Sequence, residues 1–297
     1  MTRRGWAALW VVYTIWGSTY LGIELAGETM PPVFAAGVRF LIAGALMAGW
    51  AAWRRGPRVL LPARRQLGGA MLVGVLLPGA NAILFVAERH VPTSVAALVF
   101  ASVPLWLVSF RTATGDRPRL ASLAGTAVGF GGVALLLDPA GRATVWGLAL
   151  VVLSTLTWAT GSFLAARLPL PEDTLGATAI EMLTGAALLL PLGIAFHGHG
   201  SLDPATFSAR SLFGLAYLIA FGSLLGFTAY VWLLANAPIG TVATYAYVNP
   251  VVAIVLGTLV LHEGVTVRTG LGAAIVIAAV AVVIRHEARE VVEPFRE

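Results

Sequence analysis

Two ionisable side chains stand deep inside otherwise apolar stretches: Arg39, within GVRFLIAG, and Glu181, within TAIEMLTG. A charge placed in hydrocarbon is costly enough that it marks a use, whether an ion pair, a ligand contact or a proton relay. Counting 1.5 Å per residue of helix puts Arg39 about 10 Å below one membrane surface, within reach of Glu24 or Glu88, and an ion pair with one of them is the expected arrangement. Glu181 is a single carboxylate, able to titrate. Aromatic rings cluster in the same stretches: Trp16, Tyr20, Phe85, Phe100, Trp158, Phe227, Tyr230, Tyr245 and Tyr247. Such rings offer stacking and cation–π contact to a small organic molecule, or they simply pack helices. Trp158 and Tyr247 lie too deep for the interfacial aromatic belt to explain them, whereas Trp6, Trp50, Trp53 and Trp146 fit that belt. Asn81 and Asn249 carry donors and acceptors suited to a carboxylate or an ammonium, or equally to a bond between helices. Ser18, Thr19, Thr160 and Ser162 flank two of the tryptophans, where small polar residues also let helices approach closely. Pro104 and Pro250 are expected inside helices, where each removes a backbone bond; the freed carbonyl faces a ligand, or the kink only shapes the bundle.

Other chemistries have no candidate residues. The chain holds no cysteine, which rules out disulfides, thiolate metal sites and a thiol nucleophile. No Walker A sequence, nucleophile elbow or metal-ligand spacing is present, so neither a cofactor nor an enzymatic reaction is expected. An intramembrane enzyme acting on lipid-linked substrates would need an acid, base or nucleophile pair, and no convincing pair stands out. His90, His197, His199, His262 and His286 all fall in loops or at the ends of apolar runs; His197 and His199 are the pair that could hold a metal, weakly, against the simpler reading of a solvated loop.

The elements that must carry these residues are set by composition. Apolar residues make up 58% of the 297 positions and charged residues 11%, against roughly a quarter charged in a soluble domain. A hydrocarbon core needs about 20 apolar residues per helical crossing. Blocks of that length recur at about 5–25, 33–53, 67–88, 92–111, 119–137, 145–167, 173–196, 211–234, 240–261 and 267–285. The first, Trp6 to Leu25, is too long for a signal-peptide core and is read as a membrane helix. The expected fold is therefore an all-α integral membrane protein with ten transmembrane helices, since helices alone satisfy every backbone group within blocks this long.

The basic residues are all arginines and set the orientation. With a cytoplasmic N-terminus, the inner segments hold Arg3, Arg4, Arg54, Arg55, Arg58, Arg64, Arg65, Arg111, Arg117, Arg119, Arg167, Arg285, Arg289 and Arg296. The outer segments hold only Arg89, Arg142, Arg210 and Arg268. By the positive-inside rule both termini lie in the cytoplasm of a cell whose plasma (inner) membrane the chain spans. The partners expected are the bilayer and a small molecule; no polar domain is long enough to bind nucleic acid, and no obligate protein partner is indicated.

The chain also matches itself. Pro92 and Pro104 fall opposite Pro238 and Pro250, Ala97 opposite Ala243, Gly68 opposite Gly214, Asp116 opposite Glu263, Gly125 opposite Gly272 and Trp16 opposite Trp158. Arg39 and Glu181 are likewise paired, placing opposite charges at matching depths. Five spans per repeat is an odd number, so the second repeat must run the other way through the membrane. The expected organisation is two inverted five-helix repeats, residues 1–137 and 138–285, followed by a solvated tail, 286–297.

These residues are similar to a known family. WGSTYLGIELA from Trp16, VRFLIA from Val38, ASVP ending at Pro104, GFGGVALLL from Gly129, YVNP ending at Pro250 and LHEGVTVRTGLG from Leu261 together resemble the EamA-like branch of the drug/metabolite transporter superfamily, over nearly the whole chain. The resemblance implies a ten-helix bundle around a central cavity, and export of amino acids or related metabolites by alternating access. The branch that exports aromatic amino acids is the candidate suggested by the aromatic residues above. Efflux of amphipathic toxic compounds is the alternative that a roomy aromatic cavity would also permit.

Overall fold

The computed structural model describes residues 2–115, 118–136, 143–197, 203–237, 242 and 244–290. Expectations concerning Asp116, Arg117, Arg142, His199, Pro238, Ala243, the side chains of His197 and Arg289, the 137/138 junction and the last seven residues of the tail lie outside the described residues.

Among the described residues the chain is helical with no strand. Helix α1 covers Arg3–Gly27, α2 Pro32–Arg55, α3 Arg64–Glu88, α4 Thr93–Phe100, α5 Val103–Ala113, α6 Leu120–Leu136, α7 Val145–Ala165 and α8 Thr174–His197. Helix α9, Ala209–Tyr217, continues through a π-helical stretch, Leu218–Leu225, into α10, Gly226–Asn236; α11 covers Tyr245–Val260 and α12 Val267–Glu290. Seven stretches among these are long and apolar enough to cross a membrane: α2, α3, α4 with α5, α7, α8, α9 running into α10, and α12. Helices α6 and α11 are apolar but shorter. The 25 residues of α1 are long enough, but Tyr13, Thr14, Ser18, Thr19 and Tyr20 dilute its apolar character.

Local chemistry explains where the helices begin and end. The Thr2 hydroxyl accepts from Gly5 N, Thr144 from Gly147 N and Ser208 from Ser211 N, each satisfying a donor that the first turn leaves open. Pro31 and Pro32 start α2 without a side-chain cap, because proline has no amide hydrogen to orphan. Gly56 stops that helix at φ +88°, a conformation open to glycine, and Pro57 follows.

Pro104 is not within a continuous helix. The span from Thr93 to Ala113 breaks at Ala101 and Ser102, and Pro104 is the second residue of the new helix α5. Lacking an N–H, it gives no bond back to the Phe100 carbonyl, and the helix resets there instead of kinking. Pro250 does lie inside its helix.

Glycines set the contacts between helices and reveal their directions. Gly193, Gly37 and Gly44 meet Phe34, Leu190 and Met182 with Leu183, so α2 and α8 run antiparallel. Gly125 faces Ala279 and Val283, Gly132 faces Ile275 and Val276, and Gly272 faces Leu136, so α6 and α12 also run antiparallel. Helix α3 packs against α7 antiparallel, Gly161 on Leu77 and Gly147 on Val91, and against α8 parallel, Gly74 on Glu181 and Gly185 on Pro78. Small residues at these interfaces allow backbone approach where lipid supplies no hydrophobic drive for association. Exchanging α1 with α7, α2 with α8, α3 with the π-containing span, α4–α5 with α11, and α6 with α12 carries the main contacts onto one another, α3 on α7 onto α1 on the π-containing span and α1 on α11 onto α7 on α4–α5, whereas the contact of α2 with α3 has no comparable counterpart between α8 and the π-containing span. The outer surface carries many exposed apolar side chains, among them Leu46, Trp53, Val128, Leu153, Phe213 and Leu259. Trp6, Trp50 and Trp146 are exposed as well, as residues of an interfacial belt would be.

Candidate substrate cavity

A cavity of about 480 Å³ lies between the helices, within the size range of sites that hold small organic molecules. Its wall is built from α1 (Trp16, Thr19, Tyr20, Ile23), α2 (Arg39, Phe40), α3 (Leu77, Pro78, Asn81, Leu84), the broken α4–α5 span, Trp158 of α7, α8 (Thr178, Glu181, Met182), the π-containing span (Gly222, Ser223, Phe227, Tyr230) and α11 (Tyr245, Ala246, Asn249, Pro250). The structure therefore brings together Trp16, Tyr20, Asn81, Phe100, Trp158, Phe227, Tyr230, Tyr245 and Asn249, both prolines and both intramembrane charges. Phe85, Ser162 and Tyr247 do not line it. Phe85 is 1% exposed and packs in the core. The Ser162 hydroxyl donates to Trp158 O on its own helix, 2.9 Å away. Tyr247 is partly buried and packs against the core beside the lining residue Ala246.

The aromatic wall has two patches. Trp16 meets Tyr230 at a centroid distance of 4.9 Å and Tyr245 at 5.2 Å, and the two tyrosines meet at 5.8 Å. On the other side Phe100 meets Trp158 edge-on at 5.7 Å and Tyr20 at 6.4 Å. These are tilted and edge-to-face contacts, the orientations that the ring quadrupole favours.

Both amides are partly committed to structure. Asn249 turns its nitrogen to the carbonyls of Tyr13 and Tyr245, each 3.2 Å away, and so ties α11 to α1. Asn81 donates to Leu77 O at 3.2 Å, one turn back on α3, and its oxygen accepts from Arg39 at 3.4 Å. The small hydroxyls Ser18, Thr19 and Thr160 donate to carbonyls of their own helices, and Ser18 also bonds the Tyr217 hydroxyl.

The expected ion pair of Arg39 with Glu24 or Glu88 does not form. Arg39 is 6% exposed and makes no ion pair among the described residues; its Nε donates to Ser223 Oγ at 3.0 Å and its Nη1 to Asn81. The π-helical stretch is the reason. Its extra residue per turn presents Gly222 and Ser223 to α2, drawing the guanidinium toward the π-containing span and away from the ends of α1 and α3. Gly222 also offers its carbonyl to the Trp16 indole at 3.3 Å. No composition signal announces a π turn, so Ser223 was legible only as a small polar residue in an apolar span. Arg111, assigned to a loop by its position at a span end, lines the cavity from the last turn of α5.

At the C-terminal end of α3, Glu88 is 1% exposed and its carboxylate has no hydrogen-bond partner among the described residues. Nearby, the Glu263 carboxylate accepts from Thr93 N at 2.7 Å and Ser94 N at 3.0 Å, capping α4 from the loop before α12. The same side of the bundle is laced by Arg89 donating to Gly27 O at 2.7 Å, Arg210 paired with Glu28 at 3.0 Å, and Ser211 bonded to Thr29 and Leu25 O. At the opposite side the cavity wall reaches Arg111 in the last turn of α5, Val242, and Val283 and Ile284 of α12. No group of three or more metal-ligating side chains occurs among the described residues.

Known proteins share this arrangement of sequence and fold. The EamA-like transporter family model matches the chain twice, over residues 4–138 and again over 145–285. YedA of Escherichia coli K12, an uncharacterised inner membrane transporter, is 37% identical over 280 residues, covering 93% of this chain and 89% of that protein. An uncharacterised transporter of Archaeoglobus fulgidus is 26% identical over 90% of this chain and 92% of its own length, and PecM of Dickeya dadantii is 28% identical over 91% and 88%. One solved crystal structure superposes with a TM-score of 0.64 over 99% of this chain and 100% of the other at 21% identity, a likeness of fold. With the family model spanning both halves and a relative 37% identical along 93% of its length, the chain belongs to the EamA-like transporter family.

Proposed function

We propose that this chain is a secondary transporter that exports amino acids, including aromatic ones, or related small metabolites by alternating access. The observation that carries the reading is a cavity of about 480 Å³ at the centre of the bundle, walled by aromatic rings and provided with amides and both signs of charge. Its proposed substrate contacts are Trp16, Tyr20, Asn81, Phe100, Trp158, Phe227, Tyr230, Tyr245 and Asn249, with Pro104 and Pro250 breaking or bending the spans that frame it.

In this reading ten helices cross the membrane in two inverted five-helix halves, residues 1–137 and 138–285, with both termini cytoplasmic in the inner membrane. Three observations support the inversion. The family model matches once per half, the main helix contacts are kept on exchange of the halves although α2 on α3 has no comparable counterpart, and the counterpart helices α2 and α8, like α6 and α12, run antiparallel. Two similar halves of opposed direction can exchange conformations and so open one site to either side in turn. With cytoplasmic termini, the cavity reaches toward the cytoplasm while the outer ends are laced together, an arrangement suited to loading an exported solute.

The relatives named as transporters place solute movement ahead of other readings. A second reading, efflux of amphipathic toxic compounds, is favoured by the apolar walls and the carboxylate of Glu181. Counterflow in proteoliposomes separates the two: labelled phenylalanine, tyrosine and leucine are expected to exchange, and labelled cationic dyes are not. Exchange of dyes without amino acids would replace the first reading with the second.

A further inference from the structure

We propose that Arg39 is an anion subsite, the point at which the cavity takes the carboxylate of an organic acid. The proposal rests on the cavity being the transport site and specifies what a solute must carry there. Arg39 lines the cavity and is almost wholly buried. Among the described residues the groups bonded to or stacked on its guanidinium are all neutral: Ser223 Oγ at 3.0 Å from Nε, Asn81 Oδ1 at 3.4 Å from Nη1, and the Phe40 ring, whose centroid is 5.1 Å from the guanidinium carbon. A buried cation without a counter-ion is strongly unfavourable, and two neutral acceptors do not cancel its charge. The most economical counter-ion is one that arrives with the substrate.

The geometry suits that use. Guanidinium carries five N–H donors in a planar fork matched to a carboxylate. Ser223 and Asn81 occupy two of them, and their positions are themselves fixed, Ser223 by the π-helical stretch and Asn81 by its bond to Leu77 O. The fork is thereby held in one orientation before a ligand arrives, which reduces the ordering that binding would otherwise require. Gly222 lies beside Nη2; a Cβ at that position would sit 3.3 Å from it, so glycine keeps this edge of the guanidinium clear. Glu181, on the same cavity wall, gives a zwitterion a second charged contact. A solute with only a positive charge leaves Arg39 unmatched and is disfavoured.

Thermal unfolding of the purified full chain in detergent tests this. The probes are a panel of carboxylic acids, phenylalanine, leucine and 3-phenylpropionate, each beside its amide. The acids are expected to raise the wild-type unfolding temperature and the amides are not. In Arg39→Gln the half-saturating acid concentration is expected to rise at least tenfold. Should that variant fail to fold, Arg39→Lys decides, since it keeps the charge but loses the fork, and its acid response is expected to weaken while the amides remain without effect. Amides as effective as acids, a wild type indifferent to every acid, or an undiminished acid response in the variants would each overturn the proposal. Counterflow on the same preparations keeps the two ideas apart: Arg39-dependent acid binding without amino acid exchange leaves the subsite standing and removes the export reading.

Discussion

Arg39 and Glu181 hold matching positions in the two halves of the chain, yet the bundle treats them differently. The arginine is buried and tied by side-chain bonds to α3 and to the π-containing span. The glutamate is half-buried, and its carboxylate forms no hydrogen bond or ion pair among the described residues. What is held tightly at Glu181 is the backbone: a Cβ on Gly74 would lie 2.5 Å from its carbonyl oxygen and 2.8 Å from its Cα, so α3 and α8 touch main chain to main chain. Where α8 meets α2, Gly44 touches only the side chains of Met182 and Leu183, at 3.0 Å. One half fixes a side chain and the other fixes a helix. A charge with fixed direction is suited to recognising a ligand, and a carboxylate left unbonded on a rigid helix is suited to gaining and losing a proton.

The contrast can be broken at the helix first. Gly74→Ala forces backbone apart from backbone and is expected to destabilise the protein by about 1–3 kcal/mol, the range of overpacking in a tight interior. Gly44→Ala meets side chains that can turn aside and is expected to lose less than about half as much. Thermal unfolding of both variants in detergent measures the difference, and equal losses would erase the asymmetry.

Arg39→Lys comes next in size. Lysine keeps the charge but presents a point instead of a planar fork, and carboxylate transport is expected to fall about tenfold, the equivalent of 1.4 kcal/mol. Initial rates in proteoliposomes check it.

Glu181→Gln is expected to change plateau transport by less than about twofold while flattening its pH profile, since the glutamine cannot exchange the proton that the carboxylate would carry. Arg39 and Arg111 line the same cavity. A profile identical to wild type would remove Glu181 from coupling.

Ser223→Ala is the smallest intervention, deleting one neutral acceptor from the guanidinium. A loss of about 1 kcal/mol, seen as a few-fold weaker acid response, is expected. No loss would mean that Asn81 alone orients the arginine.

The aromatic residues show the same mixture of symmetry and departure. The spacing that relates Phe85 to Tyr230 also relates Phe100 to Tyr245, and Trp16 answers Trp158. In the second half all three members of the set, Trp158, Tyr230 and Tyr245, line the cavity; in the first, Phe85 is drawn into the core and only Trp16 and Phe100 remain on the wall. Sequence comparison could equate these positions but could not separate them. A helix in lipid is apolar on every side, so no amphipathic stripe marks the face that turns inward. Depth marks Tyr247 and nearness to Trp158 in the chain marks Ser162, and both signals are blind to rotation about the helix axis.

Arg39 illustrates a second limit. Depth and reach made Glu24 or Glu88 plausible partners, because both lie within a side chain's length along the membrane normal. The partner was decided by lateral neighbours, and these depend on a π turn whose residues, LIAFGSLL, look like any other apolar helix.

The sequence by itself determined that this protein is a helical membrane protein of the EamA-like kind, because apolar runs of membrane-spanning length admit no other backbone solution and because motif order survives without coordinates. It also marked Arg39 and Glu181 as charges needing an explanation. Only the tertiary structure decided which faces of those helices share a cavity, that Arg39 answers to Ser223 and Asn81, and that α3 and α8 meet through glycine. Those are matters of rotation, register and close approach between segments far apart in the chain, and lipid-facing and inward-facing residues are too alike in polarity for sequence to tell them apart.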